Sequence, residues 1–362
     1  MPGEPTGLEP VTPVKITSTS ATERGGFRKC RRQWFLGTVH RLDPQQGNPA
    51  FFLGNIYHKG LEAYYRALAG GQPVETAEEE ALDAYQNAFD AAYADMRKRL
   101  GIAAFMGLQQ YRDVGELGME MLQNYVERER ADPLFDEVIA VEFRVNVAIR
   151  SETGRKVGVL SVQADAVGRR AGMLRVADHK TASRVMPSQH LDLDDQLTAE
   201  AFSWWLHSGE MPDEVTYNVS YKKTPQPPKR LKDKRGVPQL SRAEGQLTTA
   251  ALYRAEIARL GLSEADYAEV LERLDAEGPE QALFRRETTF RTPQQLAAFE
   301  RDLREEWRDM RAVAAHPERA YPNPTSDNCQ RCPVRVICTT IQDDGDYETV
   351  IRAGFVIADP RR

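Results

Sequence analysis

Four cysteines in 362 residues stand at Cys30 and then, at the far end, at Cys329, Cys332 and Cys338. The C-terminal trio reads C-x2-C-x5-C in NCQRCPVRVIC, a spacing that lets thiolates reach one metal centre, while Cys30 must return across almost the whole chain. If all four meet, the two ends are clamped together around a loop of about 300 residues whose entropy alone would keep them apart. Free thiols and disulfides are the competing uses. The N-terminal MPGEPTGLEPVTPVKITSTS has no charged region followed by an apolar run, so the reading is of no secretory signal and no oxidising compartment. Metal or cluster binding is then the better use of the thiols. Structural zinc sites usually come as two close pairs, whereas one-plus-three with a five-residue gap suits an iron–sulfur cubane. Spacing favours the cluster and leaves zinc open.

A net charge of −6 argues against wholesale electrostatic attraction to nucleic acid, so local patches matter more than the total. One basic stretch, YKKTPQPPKRLKDKRG, carries Lys222, Lys223, Lys229 and Arg230; a solvated loop is its bland explanation. The other, RGGFRKCRRQWF, places Arg31 and Arg32 beside Cys30 among Phe27, Trp34 and Phe35, a mixture suited to phosphate contacts with stacking or to core anchoring. No apolar stretch approaches the roughly 20 residues of a membrane span. The expectation is a cytoplasmic protein with no membrane partner. No G-x-x-x-x-G-K-[ST], G-x-S-x-G or G-x-G-x-x-G element is present, which removes support for motor, serine-hydrolase and dehydrogenase readings.

The periodicity changes along the chain. Residues 1–16 read as a mobile segment, followed by a Ser/Thr-capped helix bearing Cys30. FFLGNIYHKGLEAYYRAL has helical spacing, with His58 and Glu62 neighbours at i and i+4. Residues 75–131 read as two long helices broken near Gly101, a helical insertion or arm. DEVIAVEFRVNVAIR then alternates with period two, and KVGVLSVQADAVGRRAGMLRVADHKTA reads as a hairpin turning at 169–172. LDLDDQLTAEAFSWWLHSG is an amphipathic helix ended by Gly209, and DEVTYNVSYKK a further strand. Residues 224–238 read as a loop, 241–276 as two helices, and a helix capped by Thr292 with Pro293 at its first position leads into the cysteine trio. Residues 341–362 read as a tail.

Chemistry concentrates in the hairpin. Alternate side chains of a strand share a face, so Asp178 and Lys180 point one way and His179 the other. Asp165, on the preceding strand, is expected to reach the same face as Asp178 and Lys180. Taken alone, Asp-x-Lys is a common surface ion pair. Between the apolar Leu160, Val162, Leu174 and Val176, two carboxylates and a lysine suit a hard divalent cation beside a phosphate.

GNIYHKGLE, ADAV, LRVADHKTA and DDQLTAEAF, in that order, resemble the motifs of the PD-(D/E)xK nuclease superfamily, in particular its RecB-type exonuclease branch. The cysteines resemble those of the iron–sulfur members of that branch, CRISPR-associated exonucleases and AddB-type nucleases among them. The resemblance implies an α/β restriction-endonuclease-like core, a central mixed sheet flanked by helices. A single nuclease domain would span 17–340, with helical insertions at about 75–131 and 241–290 and an iron–sulfur clamp joining the segments around 30 and 329–338. It implies metal ligation by His58, Asp165, Asp178 and the His179 backbone carbonyl, with magnesium or manganese as the ion. It implies Lys180 beside the attacking water and scissile phosphate, Gln196 at the start of a helix near the site, and a 4Fe-4S cluster on Cys30, Cys329, Cys332 and Cys338. Glu62 and Glu142 are candidate outer carboxylates, with solvation the preferred role for both. Val162 stands where a glycine is often found, and Glu200 where a tyrosine is expected. The function implied is a metal-dependent DNA exonuclease acting at single-stranded ends in recombination, repair or DNA processing, with a separate helicase or recombination protein as partner. The alternative is a non-catalytic iron–sulfur DNA-binding subunit.

Overall fold

The computed structural model describes residues 15–100, 105–184, 188–277 and 283–358. The first fourteen residues of the N-terminal segment expected to be mobile, and the expected helix break at Gly101, lie outside them. The chain opens with β1 (Ser18–Thr19), α1 (Ala21–Lys29), a short α2 (Arg31–Trp34) running into a π-helical turn, β2 (Leu42–Pro44), α3 (Pro49–Ala69), α4 (Val74–Leu100) and α5 (Phe105–Ala131). Its middle is β3 (Glu137–Arg150), β4 (Lys156–Arg170), β5 (Met173–Ala182), α6 (Asp195–Ser208) and β6 (Glu214–Tyr221). A hairpin of β7 (Arg230–Lys232) and β8 (Pro238–Leu240), helices α7 (Ala250–Leu260) and α8 (Ala268–Glu277), and β9 (Phe284–Thr289) follow. The chain continues through α9 (Pro293–Ala315), α10 (Ser326–Gln330), α11 (Arg335–Gln342), α12 (Tyr347–Gly354) and β10 (Phe355–Ile357).

The central sheet is mixed, ordered β1-β4-β5-β6-β9 with β3 on the outer edge of β4. β4 and β5 join through Ala171 and Gly172, both at positive φ, which matches the turn twist to the strand twist. Helix α6 makes the crossover that the parallel β5–β6 pair requires. One face of the sheet packs on α6 and α9 through residues such as Val162, Val176, Leu197, Phe202, Leu303 and Trp307. The other packs on α3, α4 and α5 through Ile56, Tyr65, Tyr85, Leu122, Ala166 and Phe284. The sheet therefore separates two cores, and the described residues include no helix long and apolar enough to cross a membrane.

One irregularity decides where function sits. The β4–β5 ladder runs only from Arg170/Met173 to Ala166/Ala177. Further back along β4, the same edge is occupied by β1, paired at Val159 and Leu160. The hairpin strands splay apart between these points, and Asp165 and Asp178 are the first residues past the end of the ladder.

The structure differs from the expected element map in several places. Helices α4 and α5 are no arm: they pack on α3 and complete one core, with α5 so close that a Cβ on Gly118 would stand 2.4 Å from Leu53 and 2.2 Å from the Tyr85 hydroxyl. Cys30 does not sit within a helix but in an extended break (φ −162°) between α1 and α2. The loop read over 224–238 contains β7, which pairs with β8. β9 lies inside the stretch expected to be helical insertion and pairs with β6. In the segment read as a tail, α12 leads to β10, which returns to pair with β2.

Candidate active site

Helix α3 begins where Asn48 caps the Ala50 N–H (2.8 Å) ahead of Pro49, and it buries Phe52, Leu53, Ile56, Tyr57 and Leu61 at helical spacing. That packing turns His58 towards the splayed strands, where its Nδ1 lies 3.5 Å from Asp165 Oδ1. Glu142 of β3 completes the group: ligand atoms of His58, Glu142 and Asp165 all lie within 4.8 Å of one another. Glu142 reaches it through a backbone outlier. It has φ +50°, and it falls between the pairs Val141/Ala166 and Phe143/Ala164, opposite Asp165. Such a conformation costs a non-glycine residue on the order of 1–3 kcal/mol, and a strained residue in a ligand cluster is a functional signature. Gln163 donates a hydrogen bond to the Glu142 carboxylate.

A cation with oxygen ligands at about 2.1 Å places neighbouring donors about 3 Å apart and opposite donors about 4.2 Å apart, so a small closure of this trio fits one. The donor chemistry, one imidazole and two carboxylates, suits a hard or borderline divalent ion. The His179 N–H has no ladder partner and donates to Asp165 Oδ2 at 2.7 Å. In an extended chain a residue's C=O points to the same edge as its N–H, so the His179 carbonyl faces the same opening.

Asp178 and Lys180 lie on the other face, as the alternation predicts. Lys180 Nζ is 2.6 Å from Asp178 Oδ2 and donates to Gln196 Oε1 at 2.9 Å. Gln196 in turn donates to Asp178 Oδ1, and to Glu200 Oε1 at 3.1 Å. Lys180 also sits 5.2 Å above the Tyr217 ring, whose hydroxyl donates to Asp194, the N-cap of α6. Tyr217 thereby fixes the helix start that delivers Gln196. The expectation that Asp165 joins Asp178 and Lys180 on one face is corrected: Asp165 groups with His58 and Glu142, while Asp178 is directed at Lys180 and Gln196.

The two aspartates titrate in opposite directions. Burial would raise Asp165, but His58 and the bond from it outweigh that, and Asp165 is held at about 2. Burial dominates at Asp178, helped by the Asp165 charge, and raises it to about 6 despite Lys180. Burial and then Asp178 push Glu200 well above the usual carboxylate range, and its Oε2 has no hydrogen-bond partner. Burial also lowers His179 to about 3, so its ring is neutral, stacked on Tyr65 and within 3.0 Å of the Asn218 amide nitrogen.

A family model described as the PD-(D/E)XK nuclease superfamily matches residues 18–339. The chain belongs to this superfamily. The match spans the sheet, the splayed hairpin and the four cysteines, and the mixed sheet flanked by helices is the architecture expected of such a nuclease core. Members use divalent metals, in keeping with the trio. No curated protein matches the chain significantly.

The other candidate residues of the nuclease fall into two groups. Cys30 is buried and the other three cysteines are half-buried, and burial raises Cys332 and Cys338; the Asn323 N–H donates to Cys30 Sγ at 3.4 Å and Asn328, next to Cys329, donates to the Lys29 carbonyl at 3.0 Å, which brings the segment of the trio against Cys30. Of the basic residues expected to contact DNA, several are already engaged. Arg31 lies over the Phe27 and Tyr321 rings, Arg32 donates to the Ala320 carbonyl, and Arg230 pairs with Glu256. Lys223 and Lys229 are exposed, and Lys222 donates to the Ala50 carbonyl at 3.3 Å.

Glu62 takes the surface role preferred for it, paired with Lys59 and Arg66. Glu142 does not: the preference for solvation is corrected by its place beside His58 and Asp165. Counting back from the β3–β4 turn with one residue of shift sets Glu142 opposite Asp165. Glu200, noted only as a missing tyrosine, is a buried acid in contact with Gln196.

Proposed function

We propose that the chain is a divalent-metal-dependent DNA exonuclease of the RecB-type branch that trims single-stranded ends in recombination, repair or DNA processing. The observation that carries this reading is the joint placement, at one sheet opening, of a His58–Glu142–Asp165 ligand group and the Asp178–Lys180–Gln196 chain. His58, Glu142 and Asp165 would hold magnesium or manganese, with Asp178 and the His179 carbonyl adjacent. The ion, when bound, supplies Lewis-acid stabilisation of a phosphodiester oxygen and lowers the pKa of a water.

The residues do the positioning. Lys180, raised because Asp178 outweighs its burial, stays protonated and presents a fixed positive charge to the phosphate. Gln196 accepts from Lys180 and donates to Asp178, so neither rotates freely. A non-catalytic role leaves unexplained why the buried Asp178 and the half-buried Asp165, of like charge, are kept together at a cost in desolvation.

Purified protein with manganese is expected to shorten an end-labelled single strand, and Lys180→Ala or Asp178→Ala to abolish this. Wild-type inactivity on every DNA form, with manganese shown to bind, would leave the subunit reading standing instead. The chain lacks a P-loop, so processing of long duplex would depend on a separate helicase.

The four thiols support a 4Fe-4S clamp over zinc. A tetrahedral zinc with Zn–S of about 2.3 Å holds its sulfurs about 3.8 Å apart, whereas a cubane binds each thiolate at a separate iron. The one-plus-three spacing with its five-residue gap fits separated corners of a cubane better than the two close pairs usual at structural zinc. An anaerobic preparation that is colourless, iron-free and zinc-loaded would refute the cluster.

A further inference from the structure

Helix α3 carries an aromatic side chain that its packing does not use. Phe52, Leu53, Ile56 and Tyr57 fill the buried stripe, while Phe51 is 73% exposed. A lone exposed apolar residue is ordinary on a protein surface. The position of Phe51 is what distinguishes it. Seven residues separate it from His58, almost two full turns, so the two share a face of α3, with the exposed Asn55 between them. The same stretch of helix lies against the end of β5, where a Cβ on Gly54 would stand 3.7 Å from Thr181 Oγ1, next to Lys180. Lys222 reaches over to the Ala50 carbonyl at 3.3 Å, and the exposed Lys223 sits above the Tyr221 ring.

We propose that Phe51 is a stacking platform for a nucleobase of a single-stranded substrate, with Lys222 beside it for the backbone; this rests on the nuclease reading above. A strand leaving the ligand group along α3 meets Asn55, then the Phe51 ring, with Lys222 at the neighbouring Ala50 carbonyl. Phe51 stands about 10 Å along the helix from His58, or about three steps of a stacked strand. The stacked base is therefore two to three nucleotides from the cleaved bond. Stacking tolerates every base, because each has a π-face, which suits an enzyme that works along an end without reading sequence.

The test uses the full chain in EDTA, so that binding is read without cleavage. Single-stranded oligonucleotides carrying 2-aminopurine at successive positions are expected to be quenched at one or two adjacent positions near the end. Phe51→Ala should remove that quench and weaken binding about tenfold with the melting temperature unchanged, and Phe51→Trp should restore both. An abasic residue at the quenched position should weaken the wild type and leave Phe51→Ala unaffected. Equal binding and equal quench in wild type and Phe51→Ala overturns the proposal, as does a Phe51→Ala protein that changes only in sedimentation, which would assign the ring to a second copy of the chain. Cleavage with manganese is scored separately. A wild type that cleaves while Phe51→Ala matches it in binding overturns the stacking alone; a Phe51-dependent quench without cleavage of any nucleic acid overturns the nuclease reading and keeps the stacking.

Discussion

Asp165 and Asp178 stand across the opening of one hairpin and hold their protons at opposite ends of the acidic range. Asp165, at about 2, lies below the roughly 3.9 of an unfolded aspartate, so it adds stability above about pH 4 that is lost as pH falls through 2. Asp178, at about 6, has the reverse sign: its contribution is full below about pH 4 and is lost as pH rises through 6. At pH 8 its buried charge therefore opposes folding until a cation offsets it. Two outcomes are expected by thermal melting in EDTA and in manganese. Manganese should raise the melting temperature more at pH 8 than at pH 5, and Asp178→Asn should raise that of the metal-free protein at pH 8. An Asn variant less stable than wild type at pH 8 would contradict the burial argument. Glu142→Gln should weaken manganese binding about tenfold or more by calorimetry, since it removes one of three clustered ligands. An unchanged affinity would return Glu142 to the solvated role. The placement of His58, Asp165, Asp178 and Lys180 around one opening was legible because each sits inside a short motif. Glu142 was not, because its place opposite Asp165 depends on a register shift between Ile149 and Arg150, next to the β3–β4 turn, that no local pattern encodes.

Among the elements, α6 matters most to the chemistry, and it is held from outside the hairpin. Its first residue, Asp195, precedes Gln196 and receives Arg24 at 3.0 Å and Arg28 at 2.9 Å, both from α1. Both arginines also bind Glu306 of α9, so three helices meet at one charge cluster. Arg24 is fully buried, and removing it strands two carboxylates with one partially exposed cation. Arg24→Met is therefore expected to cost about 3–5 kcal/mol in urea unfolding, and to lower kcat more than substrate affinity, because Gln196 loses its anchor. A variant destabilised by less than about 1 kcal/mol would show that Arg28 alone holds the helix. The period-two strands and the capped helices were readable from the chain. β9 was not, because polar side chains serve as its packing groups: Arg286 reaches Glu129 of α5, and Thr288 meets Thr216 of β6 at 3.0 Å. An inward residue satisfied by a partner about 157 positions away carries no hydrophobic signal.

Across the whole molecule, the two ends meet in a lobe with little core of its own. Leu36, Leu42, Val334 and Ile337 are its buried side chains, with Cys332, Ile341 and Tyr347 packed around them. Asn323 and Asn328 each donate to the Lys29 carbonyl, and β10 pairs with β2. Val334 and Ile337, the two buried side chains of the segment from Asn323 to Ala358, are few for its length, and small cores of this kind depend on a staple such as a metal or cluster. The N-terminal side is better secured: β1 joins the central sheet and the Arg24 cluster ties α1 to α6. Loss of the proposed cluster should therefore loosen the two sides unequally. In Cys332→Ser, hydrogen exchange is expected to rise across 323–357 and the β2 strand, while β4, β5 and α6 keep their protection and the protein retains manganese binding. Limited proteolysis should cut first within 323–345. If protection falls equally in β5 and α6, the thiols belong to the folding core and not to a peripheral clamp. If 323–357 stays protected without iron or zinc, the asparagine contacts and the β2–β10 pair suffice to close the ends.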